Sequence, residues 1–215
     1  MPEASVPEFR YKDAAPLHTA AYLRPGIMAL LPRGWATGSL AGKRVLDIGC
    51  GNGYWCNEFA SRGAQGVGID ASVQGIEHAR RMFPACRFET MLIPDDPCAT
   101  LAEQPFDLVI STEVVEHLYA PRQWARAAFA SLKPGGTFIC STPYHGYLKN
   151  LALAAAGKMD WHFTALWDGG HIKFWSRRTL GTLLTEAGFV DVGFQGAGRL
   201  PYLWMSMVMS GHRPV

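Results

Sequence analysis

The sequence predicts an α/β fold: a mostly parallel sheet with helices on both faces and an antiparallel final strand. Three observations carry this expectation. Strand-like apolar runs alternate with helix-like runs from position 43 onward. The first of these strands, VLDIG, leads straight into a turn that packs three glycines into five residues. The last two strand-like runs follow one another with no helix between them, so one should run antiparallel.

Taken in order, KRVLDIG (43–49) reads as a strand and GYWCNEFASRG (53–63) as a helix stopped by Gly63. AQGVGID (64–70) is a second strand. SVQGIEHARRMF (72–83) is a second helix, with Ser72 placed to cap it. CRFETM (86–91) is a weaker third strand and PFDLVIST (105–112) a clear fourth. The run from Glu113 to Gly136 reads as one long helix, followed by a fifth strand, GTFICSTP. SRRTLGTLLTEAGF is a helix bounded by Ser176 and Gly188. FVDVGFQGAG and YLWMSMVMSGH complete seven strands. Residues 1–40 read as a helical preface in which Leu17, Ala21, Ile27, Leu30 and Leu31 recur at helical spacing, broken at Pro25. Residues 144–172 form a long irregular insertion rich in Trp, His and Gly. The chain shows no repeat and no linker, so one domain over 1–215 is expected.

The composition excludes several classes. Hydrophobic residues make up 48% of the 215, which rules out a disordered chain. A net charge of +2 with no clustered Lys/Arg stripe argues against a nucleic-acid platform. The five cysteines form no CxxC pair and no zinc spacing, which fits a reducing compartment. No apolar run reaches the ~20 residues that span a bilayer, and MPEASVPEFR lacks a signal-peptide pattern. A cytoplasmic protein without integral membrane association is expected.

The glycine turn carries the chemistry. Gly49, Gly51 and Gly53 lie between a strand and a helix, where open α/β sheets present ligands. Their spacing is G-x-G-x-G, not the G-x-G-x-x-G of dinucleotide folds. Asp47 beside the turn would repel a pyrophosphate and suit a cationic amine. Asp70 ends the second strand, where an acid accepts hydrogen bonds from a ribose diol. A nucleoside-like ligand with an amino group and no diphosphate satisfies both acids, and S-adenosyl-L-methionine fits.

At this point VLDIGCGNGYW, GVGIDAS, FDLVISTEVVEHL and LKPGGTFICST resemble, in order and spacing, the successive motifs of the class I SAM-dependent methyltransferases. The resemblance implies a Rossmann-like, seven-stranded, mostly parallel sheet. It implies that Asp47, Gly49, Cys50, Gly51, Asn52 and Gly53 surround the methionine end. Asp70 would hold the ribose, flanked by Ala71 and Ser72. Met91 and Leu92 would border the adenine, although ETMLIPDD departs from the usual motif there. Ser111 and Thr112 would pass near the sulfonium.

STEVVEHL places Glu113, Glu116 and His117 at i, i+3 and i+4, on one face of the expected helix. Three explanations stand: solvation of a helix start, proton removal from a hydroxyl by His117, or a divalent-metal site. The triplet is similar to that of ubiquinone-pathway O-methyltransferases. It also resembles that of small-RNA 2′-hydroxyl methyltransferases, where it helps to bind a divalent metal. By the same resemblance His171, in GHIKFWS, completes a set of Glu113, Glu116, His117 and His171 for Mg²⁺ or a related ion. The resemblance to the quinol-type group extends through HIKFWSRRTL and GRLPYLWMSM.

The aromatic insertion at 144–172 suits a flat or apolar acceptor, or else packs on the core as a helical pair. Tyr11, His18 and Tyr22 are candidates to close the other side. The expected activity is methyl transfer to the hydroxyl of a small-molecule acceptor, with Glu116 and His117 as catalytic groups. A metal-dependent RNA ribose 2′-O-methyltransferase and a non-catalytic SAM-binding protein are the alternatives.

Overall fold

The computed structural model describes residues 18–215. Leu17 and Tyr11 lie outside the described residues. The chain runs α1 (His18–Leu30), β1 (Arg44–Ile48), α2 (Tyr54–Ala60), β2 (Gln65–Asp70), α3 (Val73–Met82), β3 (Arg87–Thr90), α4 (Pro97–Leu101) and β4 (Phe106–Thr112). It continues as α5 (Pro121–Ala130), β5 (Leu132–Pro143), α6 (Tyr147–Ala155), α7 (Met159–Phe163), α8 (Arg177–Glu186), β6 (Val190–Ala197) and β7 (Ser206–His212). The seven strands form one sheet in the order β3-β2-β1-β4-β5-β7-β6. Strands β1 to β5 pair in parallel, and β7 runs antiparallel between β5 and β6. This is the Rossmann-like arrangement the alternation predicts.

Side-chain alternation splits the core into two layers. Leu46, Ile48 and Val109 point to the face covered by Trp124 of α5 and by Leu180, Leu183 and Leu184 of α8. Val45, Leu108 and Ile110 point to the other face, against Leu23 and Ile27 of α1 and Phe59 of α2. Trp124, Phe138 and Phe189 are each almost wholly buried, and the rings of Phe138 and Phe189 stack 5.2 Å apart. Burial of each such ring contributes about 1.5–3 kcal/mol.

Four local expectations need correction. Pro25 does not break the first helix, which continues to Leu30. Burial of Leu23, Gly26 and Ile27 against the sheet offsets the main-chain bond that proline cannot donate. The Glu113–Gly136 run is not one helix. Pro121 opens α5 at a first-turn position, and Ala120 before it is non-helical. Leu132 to Gly136 belong to β5, pairing from Phe106↔Leu132 with a register shift. The 144–172 segment is not wholly irregular, because it contains α6 and α7. Finally, α4 has no counterpart in the sequence reading. It is capped by Asp96, whose carboxylate accepts from Ala99 N at 3.0 Å.

The caps at Ser72 and Ser176 form as expected. Ser72 Oγ accepts from Gly75 N at 3.0 Å, and Ser176 and Thr179 make a reciprocal box. Gly188 follows α8 with φ 103°. The glycine turn leaves no room for side chains. A Cβ on Gly53, where φ is 82°, would lie 2.8 Å from both Ala79 Cβ and Phe88 Cζ. Gly53→Ala is therefore expected to destabilise the protein by about 2–4 kcal/mol, from left-handed strain and overpacking. The urea midpoint should fall at constant slope, and a midpoint equal to that of the parent would refute the close packing of loop on α3.

Candidate active site

The carboxyl ends of β1, β2, β4 and β5 open on one cavity of about 2010 Å³. The glycine turn forms part of its wall through Gly49, Cys50, Gly51 and Asn52. The turn is fastened to β2 by main chain: Gly49 N and Cys50 N both donate to Ile69 O, at 2.8 and 3.0 Å. Asp70 completes the fastening. Its Oδ2 accepts from Gly51 N at 2.8 Å and its Oδ1 from Ser72 N at 2.7 Å. Asp70, Ala71, Ser72, Met91, Leu92 and Thr112 all lie on the cavity wall. A Cβ on Gly49 would collide with the Val114 side chain packed against it, so only glycine fits there.

Three residues expected at the ligand lie behind the wall instead. Strand alternation turns Ser111 toward α5, where its hydroxyl donates to Ile48 O and accepts from Trp124 Nε1. Gly53 sits under α3, as above. Asp47 faces the α2 side of β1 and is fully buried, with neither oxygen hydrogen-bonded. Burial, then the charge of Asp70, raises its pKa well above the usual carboxylate range. The Cys56 N–H, outside hydrogen-bonding geometry, offsets part of that rise. Asp47 is thus held toward its neutral form one layer below the ligand-facing surface, and offers no direct counter-charge to an amine.

The acids after β4 do not share a helical face. Glu113 has φ 54°, and Val115–His117 form a single 3-10 turn. Main-chain bonding explains why no helix starts there. Glu113 N donates to Ser141 O at 3.0 Å, and Glu116 O accepts from Ile172 N and Lys173 N at 2.9 and 3.0 Å. Both groups are spent outside any helix. The Glu116 carbonyl therefore draws the GHIKF segment onto the turn and brings His171 beside His117, with ring centroids 4.9 Å apart.

Glu116, His117 and His171 bring one ligand atom each within 4.8 Å of one another. That is close to the roughly 4 Å that donors on one cation span. Glu116 is 1% exposed; its Oε2 accepts from Thr142 Oγ1 at 2.9 Å and its Oε1 has no partner. His117 Nδ1 lies 3.1 Å from Gly169 O, which assigns it as the donor and leaves Nε2 as an acceptor. Burial lowers the pKa of both imidazoles, that of His171 to about 4. Glu113, the fourth expected ligand, is not part of this group. Its carboxylate accepts from Ser141 Oγ at 2.8 Å and Ser206 Oγ at 3.2 Å. Burial pushes it up to about 7, against the opposing effect of those two hydroxyls. Burial, then Glu113, raises Glu116 well above its usual range.

Sequence spacing could not reveal Ser141, Thr142 or Ser206, because β5 and β7 bring them in from 26 to 93 residues away. The sequence did flag the aromatic insertion. Phe163 stacks on His145 at 5.7 Å, and Phe174 meets both rings edge-on. His18 and Tyr22 of α1 also line the cavity. Burial, then Glu113, raises the Tyr22 phenol to about 12.

An open α/β sheet with a bare-backbone loop after β1 and an acid closing β2 defines a nucleoside-binding protein of the doubly wound class. The methyltransferase domain family matches residues 17–192. The ubiquinone biosynthesis O-methyltransferase of Bordetella pertussis is 33% identical over 196 residues, covering 88% of this chain and 76% of that one. That of Bordetella bronchiseptica is 36% identical over 138 residues, 63% of this chain and 54% of its own length. The fold is similar to that of an S-adenosylmethionine-dependent methyltransferase from Mesorhizobium loti. The TM-score is 0.66 at 23% identity, covering 88% of this chain and 96% of that one. The chain belongs to the class I SAM-dependent methyltransferases.

Glu113 sets a pH dependence of stability. Folded, it keeps its proton up to about pH 7; unfolded, only to its ordinary 4.5. Its contribution is complete below 4.5 and lost as pH rises through 7. Glu113→Gln lacks this titration, so the variant is expected to gain on the parent by about 1–3 kcal/mol between pH 5 and pH 8. Urea unfolding at both pH values measures this, and an unchanged difference would contradict the burial of Glu113.

Proposed function

We propose that this chain transfers a methyl group from S-adenosyl-L-methionine to a hydroxyl of a small, flat acceptor of phenol or quinol type. The observation that carries the reading is one cavity lined by both the glycine turn with Asp70 and the Glu116–His117–His171 group. The cofactor fits the first set: the glycine turn forms part of the cavity wall, and Asp70 stands where a ribose is bound. When bound, it supplies an electrophilic methyl on a sulfonium, so the protein need only place the acceptor and remove a proton.

His117 is suited to that proton. Its Nδ1–H is anchored on Gly169 O, its Nε2 is free to accept, and burial keeps the ring neutral. Thr142 fixes one oxygen of Glu116 and leaves the other unpartnered. As the alternative to proton removal by His117, a carboxylate and two neutral imidazoles suit a divalent cation held by Glu116, His117 and His171, which would occupy Nε2 of His117 and would itself acidify an acceptor hydroxyl. The aromatic rings of the 144–172 insertion, with α6 and α7, cover a flat acceptor and exclude water from it. The ubiquinone biosynthesis relatives support oxygen as the acceptor atom.

Asp70→Ala is expected to weaken SAM binding by tenfold or more, about the loss of a charged hydrogen bond. Isothermal calorimetry measures it, and unaltered affinity would remove Asp70 from the site. His117→Ala should keep SAM affinity and lower turnover by about 10²–10⁴ on a catechol acceptor. If chelation slows the parent but not Glu116→Gln, the cation sits where stated; equal slowing of both, or of neither, contradicts it.

A further inference from the structure

Lys149 is a buried charge that the proposed chemistry leaves unused. It sits on α6, is 6% exposed and lies on the cavity wall. Its ammonium donates to Tyr144 O at 2.7 Å and to Met205 O at 3.3 Å. An ammonium has three donors, so one remains. Among the described residues, no carboxylate comes within ion-pair distance of it. Buried charges are normally paired, because desolvation without an opposite charge is costly. Glu113 attracts Lys149 through space, but its carboxylate is committed to Ser141 and Ser206.

Two further basic side chains share this end of the cavity. Arg199, in the loop between β6 and β7, and His162, on α7, both line it. Lys149 and Arg199 are close enough to repel one another, and both disfavour a charge on His162. Arg199 forms no ion pair among the described residues. Three cationic or protonatable groups from three separate segments therefore lie in electrostatic reach of one another, and the acid in reach of Lys149, Glu113, is already taken by two hydroxyls. All three follow β5 in the chain and none belongs to the glycine turn. The rings of His145 and Phe163 flank this end, and Phe174 lies against them.

We propose that Lys149 and Arg199 bind a carboxylate carried by the acceptor, which makes the acceptor a hydroxylated aromatic acid. The proposal rests on the methyl-transfer reading and adds the acceptor's charge to it. With two of its three donors on carbonyls, Lys149 has one left for a single carboxylate oxygen, and Arg199 meets the same group from the exposed side. The acceptor hydroxyl then faces the Glu116–His117 end while its ring lies among the aromatic side chains.

Calorimetry with saturating S-adenosylhomocysteine tests this, using 3,4-dihydroxybenzoate and catechol as probes. The parent protein should bind the acid about tenfold or more tightly than catechol, the worth of one charged hydrogen bond. Lys149→Met should abolish that preference and leave catechol and S-adenosylhomocysteine affinities unchanged. Arg199→Gln leaves the buried lysine and its carbonyls intact, so it tests the proposal even if Lys149→Met fails to fold; it should weaken only the acid, by about threefold or more. Equal or undetectable binding of both probes to the parent overturns the proposal. So does an undiminished preference in Arg199→Gln, or a parallel loss of both probes in Lys149→Met, which would make Lys149 a strut for two carbonyls. Failure of S-adenosylhomocysteine itself to bind would instead strike the methyl-transfer reading.

Discussion

The carboxylate of Asp70 accepts from the main chain of two loops at once, Gly51 N on one side and Ser72 N on the other. Each contact is a charge-assisted bond to a backbone donor, about twice as strong as a neutral one. Together they lock the turn after β1 to the start of α3. The glycines of that turn take left-handed conformations that side chains rarely adopt, so the turn needs external fastening to hold one shape. Because β1 and β2 are parallel neighbours in register, the acid that ends one strand reaches the loop that leaves the other. The cavity wall inherits its shape from this junction, and a ligand meets backbone already in place.

The opposite side of the cavity is held by a second residue that works through two groups. The Glu116 carbonyl takes the N–H groups of Ile172 and Lys173, and its side chain takes the Thr142 hydroxyl. Strand β5, the turn after β4 and the GHIKF segment are thereby joined at one residue. Trp175 Nε1 on Val115 O and the bridge between Tyr144 and Trp175 extend the join. Residues far apart in the chain converge because the insertion leaves β5 and returns to the same edge. The cavity thus has one wall fixed by Asp70 and another by Glu116, with the aromatic insertion between them.

Much of this was legible in the sequence, and the exceptions have physical causes. Strand runs, the glycine turn and Asp70 are local patterns, and each stands where it was expected. The ExxEH triplet was also visible, but helical periodicity was the wrong ruler for it. A triplet at i, i+3 and i+4 shares a face only if its backbone groups bond within the helix, and here Ser141, Ile172 and Lys173 take them. The departure of Glu113 from the set follows, since its positive φ turns the side chain toward β5 and β7. Two-residue alternation likewise decides that Ser111 and Asp47 face the core layers while the loop after β1 faces the cavity. Lys149 falls within the insertion that the sequence marks as covering the acceptor, but its burial and its bonds to the carbonyls of Tyr144 and Met205 emerge only from the fold.

Asp47 shows how neighbouring acids of the site act on one another through charge rather than contact. It has no exposed surface and no hydrogen-bond partner, so an ionised carboxylate there would carry most of its desolvation cost unrelieved. Asp70, hydrogen-bonded at the loop, raises that cost further. Asp47 is therefore driven toward its proton beneath the loop that Asp70 fastens. Across the cavity Glu113 likewise raises the pKa of Glu116. Anything cationic that entered the cavity would ease this repulsion on whichever side it approached. A sulfonium above the glycine turn and a cation at Glu116 would each draw the acids beside it toward their ionised forms without any movement of the chain.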